Sequence, residues 1–155
     1  MASIDVGIKV QIKGGAIISD SRLLEIQATD KVDVVIPAGT ADPLSIEIQP
    51  SDDPKQVHLL FIQSSLYSGQ EDTEKITYSI DGDAKEIELD QPQLYLGSGA
   101  ISVLGDTPPK IIKFKNTYPS SIPADPATET PEQDLSEQNQ AVVSILVGRD
   151  AIASS

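Results

Sequence analysis

The chain has 155 residues, 39% of them hydrophobic, and its 24 Asp and Glu outweigh 11 Lys and Arg for a formal charge of −13. That length suits one hydrophobic core, and a pI near 4.2 with no basic run repels the phosphate backbone that a nucleic-acid-binding surface must neutralise. The lack of cysteine excludes disulfides, thiolate nucleophiles and cysteine-ligated metal clusters.

In chain order, the dominant signal is period-two alternation, which lines one face of a strand with apolar side chains. It begins with Ile4, Val6, Ile8, Val10 and Ile12, set between polar residues and closed by Gly14-Gly15. This strand is expected to complete its own sandwich, with addition to a neighbour's sheet as the competing reading. Further strands are expected over residues 22–28, 32–36, 44–49 and 56–63. In the last of these Val57, Leu59 and Phe61 share one face and Leu60 and Ile62 the other, which predicts a strand covered on both sides at the sheet's centre. Strands are then predicted over 75–80, 85–89, 93–96, 101–104, 110–115 and 141–147. Asp81-Gly82, between the first two, suits a two-residue type I′ hairpin turn because both residues tolerate positive φ. Ile and Val number 29 against 12 Leu, the bias of side chains that stand on a pleated surface. About ten short strands at close spacing predict an all-β fold, a β-sandwich of jelly-roll or Greek-key type.

Residues 117–140 break the pattern with four prolines, five acids and no Lys or Arg. Tyr118, Ile122 and Leu135 are its only sizeable apolar side chains, so an extended, proline-rich arm is expected. The chain therefore divides into a sandwich over 1–116, the arm over 117–140, and a terminal strand and tail over 141–155 that rejoins a sheet, its own or a neighbour's. No stretch reaches the roughly 20 apolar residues of a membrane span. Residues 1–7 form no apolar block of signal-peptide length, so the protein is expected to be made and kept soluble in the cytoplasm.

Little in the chain points to catalysis, and no enzymatic activity is expected. The single histidine, His58, lies between Val57 and Leu59 without a G-x-S-x-G elbow elsewhere, and reads as an ordinary strand residue. One His cannot supply a three-ligand zinc site unless carboxylates complete it. Glu86, Glu88 and Asp90 alternate with Ile87 and Leu89 as a solvent-facing ladder, not as an acid–base pair in an apolar pocket. Calcium is the ion the composition leaves open, at Asp52-Asp53, at residues 71–74 or at Asp81-Gly82-Asp83, although none has EF-hand spacing. Gly97-Ser98-Gly99 lacks the Lys and helix of a phosphate cradle and reads as a loop.

A cysteine-free, strongly acidic β-domain with a polar proline-rich arm resembles the small decoration, or cement, proteins of tailed-bacteriophage heads in size, composition and architecture across its length. The resemblance rests on no motif and implies no functional residue. It implies a non-enzymatic virion protein, often a homotrimer, that stabilises a capsid through oligomerisation and arm exchange. The expected partners are copies of itself and a larger protein shell, without nucleic acid or membrane. Contact is expected through Ile4, Val6 and Ile8 of the first strand, Tyr118, Ile122 and Leu135 of the arm, and Ile152 at the end of the chain. The alternative is a carbohydrate- or ligand-binding sandwich module of adhesin or tail-fibre type, with or without calcium.

Overall fold

The computed structural model describes residues 2–50, 53–81 and 83–151. Two four-stranded antiparallel sheets enclose the core. The first, sheet A, runs β3 (Ala28–Ile36), β12 (Ala141–Arg149), β5 (Val57–Ser64), β8 (Gln93–Leu96). The second, sheet B, runs β4 (Thr40–Glu47), β9 (Ile111–Asn116), β6 (Ile76–Ile80), β7 (Ile87–Glu88). The expected all-β sandwich is therefore present. Taking the eight strands of these two sheets in chain order, every step except β6 to β7 crosses to the opposite sheet, so adjacent strands come from distant parts of the chain.

Alternation decides which side chains face inward. Val143, Ile145 and Val147 of β12 and Leu60 and Ile62 of β5 meet Ile76, Tyr78, Ile112 and Phe114 of the opposite sheet. β5 is an inner strand of its sheet and buries Leu59 as well as Leu60, as its two apolar faces require. The final strand lies between β3 and β5 of its own chain, which makes it the other inner strand.

Two local expectations are corrected. Asp83 N–H does donate to the Ile80 carbonyl across Asp81-Gly82, but the returning strand starts at Ile87 and Tyr78 pairs with Ile87; Gly82 itself lies outside the described residues. A two-residue hairpin would have set Asp83 and Lys85 opposite the inward-facing Ile80 and Tyr78. The wider loop sets Ile87 opposite Tyr78 and lets the Leu89 amide bond the Ile76 carbonyl, so burial overrides the turn preference. Residues 101–104, expected as a strand, belong to α1 (Ser98–Ile101) and a following 3₁₀ turn (Ser102–Leu104). Ile101 and Leu104, three apart, share one side of these turns and are both buried. Gly97, at φ 90°, makes the entry that a side chain would resist.

The proline-rich stretch is exposed from 123 to 134, as its composition demands, but its two limbs double back on each other. β10 (Ser121–Ile122) pairs with β11 (Gln133–Asp134), and Asp125 and Thr130 exchange both backbone hydrogen bonds around a four-residue loop. Its root is fastened by Asn116, fully buried, whose Nδ2 donates to the Ile36 and Asn139 carbonyls at 3.2 and 2.8 Å while its Oδ1 accepts from Tyr118 N–H at 3.1 Å.

Candidate functional site

The first strand, β1 (Ala2–Gln11), joins neither sheet of the sandwich. The expectation that it completes the sandwich is corrected: it pairs with β2 (Ile17–Ile26) over ten residue pairs, from Ala2↔Ile26 to Gln11↔Ile17. Gly14-Gly15, read from the sequence as the end of a strand, is the hairpin loop. Gly14 takes φ 74°, Gly15 N–H donates to the Ile12 carbonyl, and Ile12 N–H to the Ala16 carbonyl.

Among the described residues, the base of this hairpin is the part that touches the body. Ile26 is buried, and Ala2, Ile4, Val6 and Leu24 on the same face are half-buried. They lie against the outer face of sheet A, where Gly148 leaves room for them: a Cβ there would stand 2.8 Å from Ile26 Cδ1 and 3.4 Å from both Ile4 Cδ1 and Leu59 Cβ. Just beyond this contact the buried guanidinium of Arg149 donates from Nε to Asp30 Oδ2 at 2.6 Å, and Gln27 Oε1 accepts Ala151 N–H. The hairpin's exit into β3 is thereby tied to the end of β12.

From Gly7 to Leu23 every residue of the hairpin is exposed. The face that is covered at Ile4 and Ile26 continues outward as Ile8, Val10 and Ile18, the last two 61% and 75% exposed, alongside the exposed Arg22–Asp20 ion pair at 3.3 Å. An isolated two-stranded hairpin is at best marginally stable in water, and contiguous exposed apolar surface marks an interaction site. The charge is also unusual for this molecule. Residues 7–23 carry Lys9, Lys13 and Arg22 against Asp20 alone, a net +2 within a chain of net −13, so the remainder carries −15.

Under the hairpin's base lies an open apolar cleft of about 250 Å³, floored by Leu59, Phe61, Leu94 and Leu146 of sheet A and roofed by Ile4 and Val6. Leu94 is 37% exposed, and Val35 and Val142, a cross-strand pair near the other end of the same outer face, are also exposed.

The expected contact residues are distributed as follows. Ile4, Val6 and Ile8 fall on the hairpin face just described. Ile122 is exposed on β10. Tyr118 and Leu135 are buried within their own chain, and the Tyr118 hydroxyl donates to the Tyr67 carbonyl at 2.8 Å; Ile152 lies outside the described residues. Reasoning from sequence missed Ile18 and the cleft floor. The signal for the former was the Ile17-Ile18 pair immediately across the Gly14-Gly15 break.

His58 is half-exposed at the edge of the Arg149 cluster, with Nε2 2.9 Å from Asp150 Oδ1. An open cleft of about 490 Å³ is lined in part by Asp81, Asp83 and Asp106, of which Asp81 faces Lys113 Nζ at 3.4 Å. Among the described residues no group of three or more His, Cys, Asp or Glu is placed to hold a metal ion. Asp52 and Gly82, of two calcium candidates, lie outside them. Burial pushes the Tyr78 hydroxyl far above its ordinary pKa, helped by its hydrogen bond to Tyr95, so Tyr78 stays neutral as part of the packing. Among the described residues no helix is long and apolar enough to cross a membrane. No family model, curated protein or solved structure matches this chain.

Proposed function

We propose that this protein is a non-catalytic structural subunit that works by attaching to other protein subunits, in the manner of a decoration or cement protein stabilising a viral shell as a homo-oligomer such as a trimer. The observation that carries this reading is the projecting β1–β2 hairpin, whose distal half is exposed throughout yet continues the apolar face that its base buries. Conformational entropy lost in ordering such an element has to be offset by contacts, and these are available only from another molecule. The role given to the proline-rich arm shifts to this hairpin, because the arm's larger apolar side chains, Tyr118 and Leu135, are already used inside.

The aromatic side chains support attachment over sugar recognition. A sugar-binding platform needs an open ring face, and all six rings, Phe61, Phe114 and the four Tyr, are buried or half-buried. The test is sedimentation of a native lysate through a density gradient with detection of this chain. It should travel with megadalton particles and remain there after nuclease treatment; recovery solely as free protein at the top of the gradient overturns the reading.

A further inference from the structure

We infer that the distal half of the β1–β2 hairpin docks on a second copy of this chain, laying Ile8, Val10 and Ile18 on the open outer face of that copy's sheet A beside Leu94 and Phe61. This rests on the reading of the protein as an assembly subunit and names the surface and the partner. Three observations select a second copy. The contact already exists in miniature within one chain, since Ile4 and Ile26, on the same hairpin face, pack over Gly148 and Leu59 of that very sheet. The apolar outer face is larger than the hairpin's own base covers, leaving Leu94, Val35 and Val142 exposed.

The third observation is charge. Two bodies of net −13 repel each other, and residues 7–23, at net +2, are the part of one copy that the other attracts. Opposite potentials of this kind steer association and suppress wrong orientations. Because the donated patch and the receiving patch differ, each copy gives a hairpin and receives one, and the exchange closes into a small ring when the rotation between copies permits.

The lack of cysteine makes the test direct. A Val10→Cys chain, enlarged by a tag, is mixed with a Leu94→Cys chain under mild oxidation. The mixed disulfide should form at least tenfold faster than with a Ser45→Cys chain, whose thiol stands on the exposed surface of sheet B; an equal or absent cross-link overturns the inference. Independently, the unmodified protein should sediment as an oligomer at micromolar concentration. Ile8→Asp/Val10→Asp/Ile18→Asp should weaken that association about a hundredfold with an unchanged far-ultraviolet circular dichroism spectrum, the scale expected from losing a few buried apolar side chains. A monomeric parent protein, or association untouched by these substitutions, overturns the inference, as does flotation of the parent protein on phosphatidylserine vesicles through these same residues. If the inference fails while the chain still travels with native particles, the hairpin's partner is another subunit and the structural role stands. Free protein in the native gradient removes the structural role itself.

Discussion

Single residues decide how the two projections are rooted, and Asn116 is the clearest case. Its fully buried amide satisfies two carbonyls and one amide from three different segments, Ile36, Asn139 and Tyr118. Removing it takes a hydrogen bond from each of those groups, and a buried polar group left unsatisfied costs about 1–3 kcal/mol. Asn116→Ala is expected to destabilise the protein by about 2–4 kcal/mol when the lost packing is included, read as a lowered urea midpoint at constant slope. A slope that changed as well would mean that the β10–β11 projection unfolds separately. The Arg149–Asp30 pair has the equivalent position at the root of the β1–β2 hairpin, where a buried guanidinium is matched by a carboxylate from the strand that the hairpin feeds. Neither residue could be assigned this role from the sequence. A lone Asn between Lys115 and Thr117 and a lone Arg before Asp150 look like surface residues until the fold surrounds them.

At the scale of elements, the hairpin has two halves with different physics, and substitution separates them. Ile26 is 2% exposed against the body, so Ile26→Ala is expected to cost about 2–4 kcal/mol. Ile18→Ala on the same face should change the stability of the free chain by no more than about 0.5 kcal/mol. Thermal denaturation of the two variants below the association concentration checks the contrast; equal losses would mean that the distal half is packed. How legible such elements are follows from where their order originates. β1, β6 and β9 carry their own alternation and β5 its unbroken apolar run, so these could be read directly. The outer half of β2, Ile17-Ile18-Ser19-Asp20-Ser21, has none, and is a strand only because β1 supplies its partner. The helical turn at 98–104 was hidden for a related reason: Ile101, Val103 and Leu104 fit either period, and the choice fell to the tertiary burial of Ile101 and Leu104. The candidate site was half visible, in Ile4, Val6 and Ile8, while the receiving cleft draws on β5, β8 and β12 and exists only once these are assembled.

For the whole molecule, the controlling fact is that neighbours in space are remote in sequence, with β12 paired to both β3 and β5. Non-local pairing of this kind slows folding, because long loops must close before the contacts that reward closure can form. Refolding after dilution from urea should therefore take milliseconds to seconds, and stopped-flow fluorescence of the tyrosines measures it. A microsecond phase carrying the full amplitude would contradict the topology. In the same experiment a chain lacking residues 141–151 is expected to stay unfolded, since it loses Val143, Ile145 and Val147 from the centre of the core. A chain with residues 7–23 replaced by a short turn should refold like the parent.

The central position of β12 reaches into biosynthesis. At about 5–20 residues per second, the roughly one hundred residues between Ile36 and its partner Ala141 take seconds to emerge from the ribosome. Late in that interval, once β5 has emerged, the nascent chain shows Leu60, Ile62 and Ile145's future neighbours as a greasy slot with one slat missing. Such a half-made body exposes apolar surface and unpaired strand edges to other chains. On a crowded polysome, it can also accept the slat from a sister chain, which would give intertwined products that only unfolding can separate.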